Sequence, residues 1–189
     1  MQVQRSFQSI RRNFRFMSGE YRRIVVVGTS CSGKTTIARR ISNILEIPHI
    51  ELDAIHWKPG WQETSSEEFR ELVSSAISQG SWVVDGNYSK VRDIVWSRAD
   101  TLIWLNYKFW VVFSRALKRS FKRFVFREEL FSGNRETLKN LLSKDCIPLW
   151  VLKTHHRKKK NTRIFSGRVD SLILKSRSLR IKNQPMNFY

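Results

Sequence analysis

Three things that often define a class of protein are scarce in this chain: cysteine, long apolar runs and acidic side chains. Its 189 residues include 2 cysteines, too few for a disulfide framework, which favours a reducing, cytoplasmic location. No apolar run approaches the roughly 18 residues of a membrane-spanning helix, so we expect no membrane partner. His155 and His156 lack the further cysteine or histidine ligands that a zinc site needs. The 41% of hydrophobic residues is enough for one domain with a full core.

The scarcity of acidic residues is confined to the second part of the chain. The whole sequence has 35 basic and 16 acidic residues, for a net charge of +19. Residues 21–112 are nearly balanced, with 11 basic and 10 acidic side chains, whereas residues 113–189 have 20 and 5. Such a surplus favours binding to phosphate groups of nucleotides, nucleic acids or lipid headgroups, and composition does not distinguish among these.

The first 20 residues contain four arginines and one acid. An Arg-rich transit segment would have this composition, but we expect either a disordered extension or a spurious one, in which case Met17 is the real start. We therefore predict one domain over residues 21–182, with a lid at about residues 109–160 and a tail at 183–189.

Residues 28–35, which read GTSCSGKT, match the phosphate-binding pattern G-x-x-x-x-G-K-[ST] in full. The apolar run at residues 24–27 precedes them, as a buried parallel strand would, and Ile37, Ile41, Ile44 and Leu45 follow at the spacing of an amphipathic helix. A strand, a glycine loop and a helix in this order direct backbone N–H groups toward phosphate oxygens.

The motif predicts a site for ATP and Mg²⁺. Lys34 would reach the β- and γ-phosphates and is assigned a catalytic role, and the Thr35 hydroxyl would bind Mg²⁺. The residues predicted to contact the nucleotide in and directly after the loop are Gly28, Thr29, Ser30, Cys31, Ser32, Gly33, Lys34, Thr35 and Thr36.

Further strands are predicted at residues 47–53, 82–86, 101–105 and 172–174. Because helical stretches alternate with these strands, the sequence predicts an α/β fold with a five-stranded parallel sheet between two layers of helices.

Carboxylates end two of the predicted strands. Glu51 and Asp53 are two residues apart and would share a face of one strand, at the edge where parallel sheets bind ligands. They are candidates for contacting Mg²⁺ waters or an acceptor hydroxyl, or for capping the next turn. Asp85 is a candidate for holding Mg²⁺ through water, or it begins an Asp-Gly turn. The aromatic loop at residues 56–61 is either a wall of the acceptor pocket or a packed turn.

A long helix is predicted over residues 109–131, with basic residues on one face and Ala116, Phe121, Phe124 and Val125 on others. The basic residues are Arg115, Arg119, Lys122 and Arg123, with Arg127 extending the row. This row is either a solvated face or a set of arginines directed at transferring phosphates.

Several stretches resemble the adenylate-kinase-like P-loop proteins that are often called DNA topology modulation proteins. The matching stretches are GTSCSGKTT, HIELDAIHW, WVVDGNYSKVRD, RADTLIWLNY, REELFSGNRET and LWVLKTHHRKKK. The resemblance implies a nucleoside-monophosphate-kinase fold with an arginine-bearing lid, in which Lys34 and Thr35 contact phosphate and Mg²⁺. It also implies an acceptor-site role for Asp53, packing of Arg119 on adenine, and phosphate contacts for Arg123 and Arg127. Two departures stand out, since Asp85-Gly86-Asn87-Tyr88 lacks the arginine of the adenylate kinase motif and Cys31 replaces a glycine.

Two functions remain after this reading. The first is an ATP-dependent phosphotransferase acting on an unidentified small acceptor, with catalytic residues Lys34, Asp53, Arg123 and Arg127. The alternative is a nucleotide-dependent nucleic-acid-binding or DNA-topology regulatory protein, which would use the basic second half.

Overall fold

In a computed structural model of the chain, the described residues are 22–126, 129–134 and 146–154, together with the backbone of residues 170–175 and 178–182. The strands are β1 (Arg23–Gly28), β2 (His49–Glu51), β3 (Trp57–Lys58), β4 (Gln62–Glu63), β5 (Trp82–Asp85), β6 (Thr101–Leu105), β7 (Asp170–Lys175) and β8 (Ser178–Lys182). The helices are α1 (Lys34–Leu45), α2 (Leu52–His56), α3 (Ser66–Ala76), α4 (Arg92–Arg98), α5 (Phe109–Phe126) and α6 at residues 147–154. The sequence-based predictions for residues 1–20, Arg127, His155, His156 and residues 183–189 lie outside the described residues.

The main sheet has six strands in the order β2-β5-β1-β6-β7-β8. The first five run parallel, and β8 pairs antiparallel with β7. The predicted α/β fold with a parallel sheet is therefore confirmed, and β8 is an addition to it. Strand β1 lies between β5 and β6, so the phosphate-binding motif at its carboxyl end is at the centre of one edge of the sheet.

The core lies on both faces of the sheet because successive side chains of a strand point to opposite faces. Val25 and Val27 of β1 join the cluster that includes Phe69 and Val73 of α3, while Ile24 and Val26 join the cluster that includes Ala38 and Ile41 of α1. All four β1 side chains are at most 1% exposed. Ile44, which the amphipathic spacing grouped with the apolar face of α1, is 39% exposed.

The second strand is shorter than predicted. It ends at Glu51, and Leu52–His56 is a helix, so Asp53 does not share a strand face with Glu51. The reason lies in the pairing, because β2 is an edge strand whose single partner, β5, ends at Asp85 opposite Glu51. Beyond that point no neighbouring strand offers hydrogen bonds, and the chain turns into α2.

The long helix α5 is also shorter than predicted. It ends at Phe126, and residues 129–134 contain a tight turn in which Ser132 has a φ of 55°. Phe121 is 68% exposed and Val125 is 51% exposed, so these two are not the buried contacts that the sequence predicted. Within the described part of the chain, no helix is both long and apolar enough to cross a membrane.

Gly86 determines how α2 meets the end of β5. Its φ is 140°, and a Cβ atom added there would lie 2.7 Å from Leu52 Cβ and 2.9 Å from Leu52 Cδ1. Leu52 is the first residue of α2 and is 2% exposed. The absence of a side chain at position 86 therefore lets α2 pack directly against the end of β5.

We predict that Gly86→Ala destabilises the protein, because it combines a strained backbone with a clash against Leu52. The expected loss is about 1–3 kcal/mol, and each kcal/mol lowers the melting temperature by roughly 2–4 °C in a chain of this size. Thermal unfolding followed by circular dichroism measures it. Gly80→Ala is the matched control, since Gly80 is exposed and nothing lies within 4 Å of its added Cβ. Equal melting temperatures for the two variants would contradict this account.

Candidate active site

The phosphate-binding loop connects β1 to α1 with two residues in the left-handed region. Cys31 has a φ of 61°, and Gly33, which caps α1 without a side-chain hydrogen bond, has a φ of 90°. Gly28 is packed so closely that a Cβ there would lie 2.6 Å from Ser32 Oγ and 3.1 Å from Leu105 Cβ. A tight loop whose helix end has no side-chain cap is the arrangement that presents backbone N–H groups to an anion.

The side chains of the loop are compatible with a bound triphosphate. Lys34 Nζ folds back and donates to the Thr29 carbonyl at 3.2 Å. The hydroxyls of Thr29 and Ser32 are buried, with residue exposures of 6% and 1%, and neither has a hydrogen-bond partner among the described residues. Buried polar atoms without partners are rare in proteins, so phosphate oxygens are suitable partners for both hydroxyls.

Thr35 brings together the ends of three elements. Its Oγ1 donates to Asp85 Oδ2 at 2.6 Å and lies 3.1 Å from Glu51 Oε1. Asp85 is 2% exposed, and its second oxygen accepts from His49 Nε2 at 3.1 Å. Because a hydroxyl has a single proton, it cannot satisfy both carboxylates at once.

The crowding of negative charge affects Glu51. The pKa of its carboxyl is raised, first by burial and then by the charge of Asp85, while the hydrogen bond from Thr35 acts in the opposite direction. Two carboxylates that converge on one hydroxyl form a site with more acceptors than protons, which a cation would balance.

The residues present fit Mg²⁺ in the way it usually binds beside nucleotides. Within the described residues, no group of three or more His, Cys, Asp or Glu side chains could hold a metal ion. Mg²⁺ is commonly bound by few protein groups and completed by water and substrate phosphates. Thr35 would contact the ion directly and Asp85 would contact its waters, as the sequence predicts.

Asp53 lies two residues beyond Glu51, the last residue of β2. It lies in the first turn of α2, and its Oδ1 accepts a 2.6 Å hydrogen bond from the phenol of Tyr88, which follows β5. The pKa of Tyr88 is raised, first by burial and then by the charge of Asp53, so the phenol remains a donor at neutral pH. This contact was missed by the sequence analysis because the two residues are 35 positions apart.

The aromatic loop forms a β-hairpin beside Asp53. His56 is 4% exposed, with its ring centroid 4.6 Å from that of Tyr88 and 4.9 Å from that of Trp57, and burial lowers its pKa. Asn134, which follows α5 in sequence, accepts from the Trp61 amide at 3.0 Å and donates to the Lys58 carbonyl at 3.0 Å. The loop is thus a packed turn near Asp53, and its role as a wall of the acceptor pocket stays a prediction.

Helix α5 meets the phosphate-binding loop through Arg115. Its Nη1 donates to the Ser32 carbonyl at 3.4 Å, and its guanidinium lies 4.7 Å from the centre of the Tyr107 ring. Cys31 packs against the same base of the helix, in a cluster with Val112 and with Val151 of α6. Arg115, which lies one turn before Arg119, therefore contacts the loop.

The later arginines of the row are placed differently. Arg119 is exposed, and Arg123 is 7% exposed and eight residues from Arg115, about 12 Å along the helix. Their roles toward adenine and phosphate, and that of Arg127, stay predictions. Spacing placed Arg115 in the basic row, but only the packing of α5 shows which turn reaches the loop.

A second arginine approaches the segment after β5. Arg92 of α4 donates from Nη2 to Asn87 Oδ1 at 3.1 Å. The segment Asp85-Gly86-Asn87-Tyr88 has no arginine of its own, and the arginine that contacts it belongs to the following helix.

Comparison with known proteins gives structural likenesses alone. No protein-family model matches the chain, and no curated protein matches it. It resembles a gluconokinase from Sinorhizobium meliloti 1021 at 20% identity, over 79% of this chain and 81% of that one, with a TM-score of 0.48. It also resembles a sugar kinase from Janibacter sp. HTCC2649 at 18% identity, over 84% and 87%, with a TM-score of 0.49. A shikimate kinase from Bacteroides thetaiotaomicron matches at 15% identity, over 81% and 85%, with a TM-score of 0.48. Identities and TM-scores this low indicate no function, so any function has to follow from the site residues themselves.

We predict that Glu51→Gln stabilises the Mg²⁺-free protein at alkaline pH. Because the pKa of Glu51 is raised on folding, the native state loses stability as the pH rises through that pKa, and glutamine avoids this loss. The difference in melting temperature between variant and wild type should grow with pH and shrink as the pH falls toward the ordinary value of 4.5. Scanning calorimetry in EDTA measures it, with Glu71→Gln in the exposed part of α3 as the control. A difference independent of pH would contradict the repulsion argument.

Proposed function

We propose that the chain is an ATP- and Mg²⁺-dependent phosphotransferase that moves the γ-phosphate to a hydroxyl of a small acceptor. The domain would span residues 21–182, with residues 109–160 as the lid. The observation that carries the proposal is the convergence of the Thr35 hydroxyl with Asp85 and Glu51, at the ends of β5 and β2, with a third carboxylate, Asp53, in the first turn of the helix beyond.

The phosphate side of the reaction follows from the loop. Phosphoryl transfer depends mainly on positioning and on neutralising the charge of the phosphates. The backbone of the loop and Lys34 would hold the β- and γ-phosphates, while Arg115 enters from α5 over the same loop. Bound Mg²⁺ would supply charge neutralisation between the phosphates, held by Thr35 and, through water, by Asp85.

The acceptor side follows from Asp53. A carboxylate near the attacking hydroxyl can accept its proton as the new bond to phosphorus forms. Tyr88 donates a hydrogen bond to this carboxylate. The hairpin with Trp57, which packs on the neighbouring His56, would border the acceptor. The resemblance of the sequence to nucleotide-kinase-like topology modulation proteins supports the same type of reaction and leaves the acceptor open.

Nothing in the described part of the chain favours nucleic-acid binding. Arg115, a member of the basic row, lies at the phosphate-binding loop. The most concentrated basic run, residues 157–160, lies outside the described residues.

We predict that Lys34→Ala lowers phosphoryl transfer at least about 100-fold, the usual loss when one charge-stabilising group is removed. Radiolabelled Mg·ATP is incubated with a panel of nucleoside monophosphates, nucleosides, sugars and sugar acids, including gluconate and shikimate, and labelled products are separated. The fold should be intact, as judged by circular dichroism.

Arg39→Ala is the matched control, because it removes a positive charge from an exposed position of the same helix. It should leave turnover near the wild-type value. A Lys34→Ala variant with wild-type turnover, or a wild type that phosphorylates no compound and hydrolyses no ATP, would overturn the proposal. Tight DNA binding that weakens steeply with salt, without any turnover, would favour the alternative function.

A further inference from the structure

We propose that Tyr88 is a positioning residue for phosphoryl transfer, whose phenol fixes the carboxylate of Asp53 in the orientation that receives the proton of the acceptor hydroxyl. The inference rests on the proposed function, because it gives Tyr88 a role in the same reaction. The observation behind it is the 2.6 Å hydrogen bond that the phenol donates to Asp53 Oδ1. It joins a residue that follows β5 to one in the first turn of α2.

The phenol is itself held rigidly. The Tyr88 ring packs at the edge of the core, with ring centroids 4.6 Å from His56 and 5.3 Å from Phe69. Trp57 packs on the same cluster, with its ring centroid 4.9 Å from that of His56. Because an ionised carboxylate only accepts hydrogen bonds, the phenol donates its proton to Asp53. The aromatic cluster therefore holds the ring, and the ring holds the carboxylate.

The surroundings of Asp53 make such a bond useful. The ionisable groups that interact with Asp53 or Tyr88 come from three segments, and they are Glu51 at the end of β2, His56 in α2 and Glu63 in β4. Glu51 and Glu63 carry the same charge as Asp53. A neutral donor can hold Asp53 in one rotamer without adding a positive charge that would compete with Mg²⁺ or with Lys34.

The bond leaves one oxygen of Asp53 for the reaction. With Oδ1 held by Tyr88, Oδ2 accepts the proton of the acceptor hydroxyl. The acceptor oxygen then forms the new bond to the γ-phosphorus, the bond from that phosphorus to the bridging oxygen breaks, and ADP leaves with the electron pair. Tyr88 keeps its own proton throughout and touches neither reactant.

Tyr88→Phe tests the proposal, because it keeps the ring and removes the donor. The probe is Mg·ATP with water as the acceptor, and with any panel compound that the wild type phosphorylates. We expect kcat to fall roughly tenfold to a hundredfold, the usual effect of a misplaced reacting group, with the affinity for Mg·ATP unchanged. The kcat of Asp53→Asn should fall at least as far. The double variant should be no slower than Asp53→Asn alone.

Thr64→Val is the matched control for a structural effect. Its buried hydroxyl lies 2.9 Å from the Ile55 carbonyl and 3.0 Å from the His56 carbonyl, at the far end of the same short helix, and donates its single proton to one of them. Thr64→Val should lower the melting temperature, as we also expect of Tyr88→Phe, but it should leave kcat unchanged. A kcat loss that follows the melting temperature in both variants would show a structural role and overturn the proposal.

A second readout does not need turnover. In protein labelled with ¹³C in the aspartate carboxyls, the Asp53 signal is the one that disappears in Asp53→Asn. The chemical shift of this signal should change in Tyr88→Phe and remain the same in Thr64→Val. An unmoved signal, effects on kcat that multiply in the double variant, or wild-type kcat in Tyr88→Phe would each overturn the positioning role while leaving the phosphotransferase proposal intact. A wild type that never turns over Mg·ATP would instead refute the phosphotransferase proposal, and the positioning role with it.

Discussion

The 2.6 Å hydrogen bond from the Thr35 hydroxyl to Asp85 links the first turn of α1 to the end of β5. Strand β1 lies beside β5 and leads directly into the loop before α1. The same hydroxyl lies 3.1 Å from Glu51 of β2, the strand on the other side of β5. One side chain therefore ties together the loop, the acid at the end of β5 and the edge strand from which Asp53 follows.

This arrangement places two negatively charged carboxylates close together. Asp85 is almost fully buried and Glu51 has a raised pKa, so the site has an excess of acceptor oxygens. Buried carboxylates without enough donors are unfavourable unless a cation or protons balance them. Lys34 is bonded to the loop carbonyl of Thr29, so it is placed to meet phosphate oxygens and not to neutralise the two acids. These features support the proposed binding of a dication together with a triphosphate.

Local sequence was sufficient where local spacing determines the structure. The loop motif predicted the start of α1, and the apolar run at residues 101–105 coincides with β6. Local sequence was not sufficient where contact with a neighbouring strand or helix determines the structure. Strand β2 ends because β5 ends, so Asp53 lies in a helix. The helical period predicted a basic face on α5, but the packing of that helix brings Arg115 to the loop. The Tyr88–Asp53 bond joins distant segments and has no local signal.

The most direct test of this account is the Mg²⁺ dependence of ATP binding, measured by isothermal titration calorimetry on the wild type and on Thr35→Val. Valine keeps the shape of threonine and removes the hydroxyl that brings Asp85 and Glu51 together. The account predicts that Mg²⁺ strengthens ATP binding to the wild type, and that Thr35→Val loses most of this gain while its Mg²⁺-free binding is retained. An equal gain from Mg²⁺ in both proteins would contradict it.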